Sequence, residues 1–395
     1  MPDNPYINLL VTATLTILFI IGSSYGLGAL ARAIVRARGG TPKHQQNTFA
    51  GYFFAAPWII GFLIFVVVPL GLSLYWSFTD YRVTFTHAPN WVGLENYIHL
   101  ITKDSGFRAS IVNTLYYTII GLPLQMGIAL LLAVLLNQKM KGERVFRMAF
   151  YLPVVLGFNA AVLLVWRLML NTGTGIINQI IRSITTSVPA IGYVVRAGIY
   201  VHEVINAFFL GITNGNFNLL NKVIETGFPA ANRVPLWVQS PLWSKMPIVL
   251  LMIWGCGTMM LIFLAGLNNI PRELHEAAVV DGASGWQRFW KITLPLLLVS
   301  VGPLLISSYV FNFNNFNLIY LLLGGGPPIP GAATQAGYTD ILISYIYNLA
   351  FAPGGRGVRY GLASAMSMML FIIVGAITLF QYRFTNMWEE VSENV

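Results

Sequence analysis

Apolar residues in this chain gather into long runs instead of alternating or recurring as narrow stripes, and charged residues are almost wholly confined to the gaps between the runs. Seven runs, at about 8–31, 52–78, 110–136, 148–170, 246–267, 296–322 and 361–382, reach or exceed the roughly 20 residues that carry a helix across ~30 Å of hydrocarbon. Pro57, Pro69, Pro123 and Pro153 fall inside runs. Lipid tolerates such breaks only where neighbouring helices or water satisfy the freed carbonyls, so the runs predict a packed bundle. The expected fold is an all-α integral membrane protein of about seven transmembrane helices. Residues 1–50 carry one extra helix and a basic linker, and 51–395 form the core.

The segment between the fourth and fifth runs is harder to read. Ala190–Ile212 is apolar enough for a further crossing, yet it holds Arg196, His202 and Glu203, each costly at the bilayer centre. A single extra crossing would also invert every later loop. The expectation is an external insert, about 186–235, with a helix lying on or near the outer face, a re-entrant hairpin being the alternative.

Composition agrees with lipid as solvent. Of 395 residues 56% are apolar and only 9% charged, against about 25% in soluble domains. The net charge of +9 could suggest nucleic acid, but the basic residues sit at the ends of runs and form no aromatic-laced patch, which excludes that partner from the reading. Arg32, Arg36, Arg38 and Lys43 follow the first run, Lys139, Lys141, Arg144 and Arg147 the third, and Arg272, Arg288, Lys291 and Arg383 lie in loops of the same parity. The positive-inside rule makes those loops cytoplasmic, the amino terminus external and the carboxyl terminus internal. The first run follows Asp3 with no Lys or Arg before it, so it reads as a retained helix and not a signal peptide. Cys256, the only cysteine, excludes an internal disulfide.

The chemistry that is missing narrows the function. No Gly-Lys pair occurs, so the chain lacks a phosphate-cradling loop and any ATP and Mg would be held by another subunit. His202-Glu203 opens a zinc-like H-E-x-x-H, but Asn206 stands where the second histidine belongs. Runs two to seven hold no Asp or Glu in their interiors, which counts against a proton-driven secondary transporter. Neither a metal nor a catalytic constellation is expected.

Between the fifth and sixth runs, Pro271 suits a helix start, Glu273 and Glu276 its early turns, and Gly282 its end. Trp286, Phe289 and Trp290 come next, on a second short helix. Three large aromatics on a cytoplasmic loop argue for an interface. The spacing Glu276-Ala277-Ala278, three residues, Gly282, nine residues, Ile292-Thr293-Leu294-Pro295 resembles the E-A-A-x3-G-x9-I-x-L-P signature of ABC importer permeases. That resemblance implies a MetI-like helical core and a coupling loop, 268–295, docking on a separate ATPase through Glu276, Ala277, Ala278, Asp281, Gly282, Ile292, Leu294 and Pro295.

On the sixth run Ser308, Phe311, Asn312 and Asn315 share one helix face. Buried amides in lipid serve either as glue between helices or as the lining of a polar cavity, and amides beside an aromatic ring suit an uncharged sugar. The sequence Ser308 to Phe316, Gly-Gly-Gly-Pro327, Gly337 to Leu342 and Tyr345 to Phe351, with Trp91 to Tyr97 and Asn113-Thr114, resembles the MalF-type permeases of maltose and maltodextrin importers. The resemblance covers most of 52–388 and implies that Ser308, Phe311, Asn312 and Asn315 line a sugar site, with Gly255 and Thr258 opposite. It also implies a second, MalG-type permease, a MalK-type ATPase dimer, a MalE-type external binding protein and a bacterial inner membrane. The chain departs from that pattern at Trp254 to Thr258, in its short 79–109 loop and in the insert. A relative importing another solute, such as glycerol phosphate, is the alternative.

Overall fold

The computed structural model describes residues 5–82, 89–138, 141–230, 233–298, 301–302, 308, 316–329, 336–351 and 359–393. Among them no strand occurs, only two isolated bridges, Thr79 with Trp91 and Pro328 with Gly337. The chain divides into two compact units, Met1–Tyr75 and Trp76–Val395.

In the first unit α1 (Pro5–Ala37) packs along α2 (Pro42–Phe62). The link is far shorter than the basic linker expected up to residue 50, because Thr41 caps α2 by accepting from the His44 N–H and Pro42 supplies its pre-set φ at the first position. Helical backbone then runs on through α3 (Val68–Ser77), giving an apolar helix of 36 residues, Pro42–Ser77.

Proline placement explains a recurring device. A π-helical turn occurs at Leu63–Val67, at Tyr117–Gly121 and at Phe289–Thr293, and each ends two residues before a proline: Pro69, Pro123 and Pro295. Proline cannot donate to the carbonyl four residues back and its ring crowds that oxygen, so a locally wider turn lets the helix continue.

The second unit holds α4 (Glu95–Thr102), α5 (Ser105–Tyr116) and α6 (Leu122–Leu136), the last two forming one apolar helix of 32 residues. Next come α7 (Glu143–Leu156), α8 (Ala160–Met169), α9 (Ile176–Ser187), α10 (Pro189–Asn214) and α11 (Asn218–Thr226). They are followed by α12 (Met246–Trp254) and α13 (Gly257–Asn268). Two expected straight crossings are broken. The run at 148–170 bends by 109° between α7 and α8, where Asn159 accepts from the Val162 N–H and starts a new helix, and the run at 246–267 bends by 46° between α12 and α13. By length and composition the described residues hold five helices able to cross a membrane, or up to seven if each bent pair is one span.

One of those five is α10, an unbroken helix of 26 residues. Of the polar groups that argued for a surface position, Glu203 is bonded by protein and Arg196 lies against an aromatic ring. Glu203 is buried and accepts from Arg233 at 2.8 Å and from the Trp243 indole at 3.0 Å. Arg196 lies 5.3 Å from the centre of the Phe228 ring.

Beyond α13 come α14 (Arg272–Val280), α15 (Gly285–Arg288), α16 (Phe316–Leu323), α17 (Leu342–Phe351) and α18 (Tyr360–Glu393). Two buried aspartates tie this half to α5. Asp104 caps α5 by accepting from the Gly106 and Phe107 N–H groups, and it also accepts the Tyr345 hydroxyl at 2.8 Å. Asp340, in the loop before α17, accepts from the Gly337 N–H, the Ser344 hydroxyl and the Asn348 amide. Burial outweighs those three hydrogen bonds and pushes its carboxyl up to about 6. Asn113 donates to the Asp340 carbonyl and the Thr114 hydroxyl accepts the Leu342 N–H, so that pair from the sequence resemblance fastens the loop.

Candidate functional site

The segment 271–295 is a helix, a tight reversal and a second helix, each stage fixed by local chemistry. Pro271 stands just before α14 as its cap. At the other end Gly282 takes φ 78°, in the left-handed region open to glycine without strain. Its N–H reaches the Val279 carbonyl at 3.0 Å and the Ala283 N–H reaches the Ala278 carbonyl at 2.8 Å. These two bonds are a Schellman closure, which satisfies the carbonyls that a helix end otherwise leaves open. Ser284 and Gln287 then bond each other's backbone N–H in a capping box that starts α15.

The reversal leaves an apolar surface bare. Ala278 is buried, whereas Glu276, Ala277, Asp281 and Gly282 are exposed. Val280 is 86% exposed and Trp286 71%, values that an isolated chain in water would not sustain for large apolar side chains. Trp286 and Phe289 stack at 6.4 Å, and Trp290 stands edge-on to both. The aromatics therefore support one another while offering faces outward. Ile292, Leu294 and Pro295 are half-buried at and just after the π-helical turn, where they anchor the segment.

The second group of candidate residues is only partly within view. Ser308 is helical and half-buried, while Phe311, Asn312 and Asn315 lie outside the described residues. Gly255 sits at the break between α12 and α13, where a Cβ would stand 2.6 Å from the Phe158 ring, and Thr258 is exposed one turn on. Beside that break lies a groove of about 410 Å³ lined by Leu156, Val162, Val165, Trp166 and Trp254 among others, all apolar.

Sequence reasoning missed the aromatic group just after Asn315. Phe316 stacks on Tyr320 at 4.9 Å, and Tyr347 of α17 meets both at 4.9 and 5.1 Å. A clue was present in the i, i+4 spacing of Phe316 and Tyr320 on one helix face. The partner on α17, some thirty residues away and beyond a loop, has no local signature.

A bundle of broken and continuous apolar helices with a capped, bare-faced reversal after α13 is the architecture of a multi-pass transport subunit. Residues 102–386 match the family described as binding-protein-dependent transport system inner membrane component, and the chain belongs to that family. It is 35% identical over 345 residues to the probable ABC transporter permease protein YesP of Bacillus subtilis, covering 87% of this chain and 93% of YesP. It is 33% identical over 350 residues to the maltodextrin transport system permease protein MalC of Streptococcus pneumoniae, covering 86% of this chain and 69% of MalC. The match to the maltose/maltodextrin permease MalF of Vibrio vulnificus, 32% identical over 302 residues, spans about half (48%) of that longer protein. In fold the chain resembles a bacterial ABC transporter involved in the import of the acidic polysaccharide alginate, with a TM-score of 0.58 over 87% of this chain and 98% of that one at 22% identity.

Proposed function

We propose that this chain is the permease subunit of an ATP-driven importer of a saccharide, maltodextrin or a similar oligosaccharide, and that 271–295 is the surface through which a separate ATPase drives it. The observation that carries this reading is the Schellman-closed reversal at Gly282 with its bare Val280, Trp286 and Trp290. Exposed aromatics of this kind gain most from a partner that covers them. Supporting the sugar is the company of relatives named for maltodextrin and for galactooligosaccharides. The amides and ring of Ser308, Phe311, Asn312 and Asn315 suit such a ligand.

In this reading a second, homologous permease completes the pathway, two ATPase subunits lie against the cytoplasmic face, and an external binding protein delivers the sugar. Gly255 and Thr258 would face the pathway at the break between α12 and α13, where a bent helix leaves backbone groups free for a ligand. ATP closes the ATPase pair, α14 moves with it, and the bundle passes between inward and outward openings. Sugar shifts that equilibrium only through unequal affinity for the two states.

The test is ATP hydrolysis by the reconstituted assembly against a panel of solutes delivered by its binding protein. A saccharide should stimulate turnover, and stimulation by glycerol phosphate or an amino acid alone would overturn the substrate assignment. Asn312→Leu should weaken uptake while the ATPase stays bound; unchanged uptake kinetics would reduce the amides to glue between helices.

A further inference from the structure

A helix folded in water hides its apolar face and shows its polar one, and α10 does the reverse. Its inward face carries Glu203 and Asn206, both almost wholly buried, together with Ala207, Gly211 and Thr213. Asn206 donates to the Tyr116 hydroxyl of α5 at 3.3 Å, and the His202 ring lies 4.3 Å from that of Trp243. Beside them Lys245, fully buried, holds its ammonium 5.0 Å from the centre of the Tyr116 ring. The outward face reads Ile191, Val194, Gly198, Val201, Ile205, Phe208 and Ile212, in steps of three and four that put all seven in one stripe. The six large residues among them are 37–68% exposed.

We infer that this stripe is solvated by the acyl chains of the membrane, and that α10 is an additional lipid-embedded helix, with the 109° bent pair α7 and α8 a re-entrant loop in place of one crossing, so that 271–295 keeps its side of the membrane. Three observations point to lipid and not to water or a protein partner. The carboxylate of Glu203 and the amide nitrogen of Asn206 are turned inward and bonded by protein, the arrangement hydrocarbon demands, since an unpartnered amide or carboxylate there costs several kcal/mol. At 1.5 Å per residue the stripe is about 31 Å long, close to the hydrocarbon thickness. The helix also packs on α5, part of the 32-residue apolar helix Ser105–Leu136, which itself bares Leu115 and Ile119. The inward network of Glu203, Arg233, Trp243 and Asn206 holds α10 to the bundle from the protein side.

Cys256 is the only cysteine and is buried, which makes site-directed spin labelling direct. Cysteines placed one at a time at Val194, Val201 and Phe208 in the full chain with Cys256→Ala would be labelled and returned to liposomes. Collision with oxygen, which dissolves in hydrocarbon, is compared with collision with a water-soluble nickel chelate. At all three positions the oxygen-to-nickel ratio should be at least about tenfold above that of a label at Val280, because a hydrated metal complex is excluded from hydrocarbon. Ala207→Cys, on the opposite face, should meet neither reagent. Nickel access equal to that at Val280 would place the stripe in water. Low access to both reagents would mean that protein covers it, and either result overturns the inference. If Cys256→Ala does not fold, retaining the buried thiol and confirming that it stays unlabelled gives the same comparison.

Discussion

The reversal at 281–284 and the stretch around Asp340 before α17 both join helices, yet they are built in opposite ways. Around Asp340 the polar side chains of Thr339, Ser344 and Asn348 are buried with it. The carboxylate is 1% exposed and takes three hydrogen bonds, its carbonyl takes a fourth from Asn113, and nearby Tyr345 is fully buried on Asp104. Around Gly282 the bonds are confined to the backbone and to one capping box, and the large side chains face out. The first link is a fixed brace. The second is rigid in its backbone but incomplete on its surface, as a part that borrows its remaining contacts from a partner should be.

Substitutions can separate the two roles. The largest effect is expected from Gly282→Pro, because proline holds φ near −65° and cannot adopt the left-handed conformation observed. Sugar-stimulated ATP hydrolysis should fall to the unstimulated level while the chain still inserts and purifies; normal stimulation would remove the coupling role. In the brace, Asp104→Ala removes a helix cap and strands the buried Tyr345 hydroxyl, a combined cost of roughly 3 kcal/mol. Thermal unfolding in detergent should show a clearly lower midpoint, and an unchanged midpoint would mean that the brace carries no stability. Trp286→Ala should leave that midpoint unmoved, since the ring is mostly solvent-exposed, but loosen the ATPase about tenfold. A variant that unfolds earlier with normal ATPase affinity would reverse the contrast.

The smallest effect concerns pH. Asp340 is raised from 3.8 to about 6, so its contribution is fully present below about 3.8 and is lost as pH climbs through about 6. Between pH 5 and pH 8 this amounts to about 1.4 kcal/mol. Asp340→Asn should flatten that part of the pH–stability profile, and a variant with the wild-type slope would mean that another group titrates.

The sequence made the reversal legible because its geometry is local. Glycine after a helix, a serine capping box and fixed spacing to Pro295 are all read within a few turns. The brace was not legible, because Asp104 and Tyr345 are 241 residues apart and nothing in either neighbourhood names the other. Hydropathy found the runs at 148–170 and 246–267 but not their bends, since an apolar run records what surrounds a helix and not whether it is straight. It also weighed Glu203 in α10 as a cost, when the arginine and indole that satisfy it come from the segment between α11 and α12. Of the residues assigned to sugar, the shared face of Ser308, Phe311, Asn312 and Asn315 rests on helical spacing and family resemblance alone.

The central claim, that 271–295 is the face an ATPase grips, is tested most directly by proximity in the assembled transporter. Single cysteines at Val280, 86% exposed on the reversal, and at Ile372, 65% exposed within the apolar stretch of α18, in the Cys256→Ala background, would be labelled with a maleimide–benzophenone, whose photoexcited ketone inserts into nearby C–H bonds of any neighbour, in an assembly active in ATP hydrolysis. The account predicts a covalent product with the ATPase subunit from Val280→Cys and none from Ile372→Cys. An active assembly in which Val280→Cys captures no ATPase, or in which both positions capture it equally, would contradict the account.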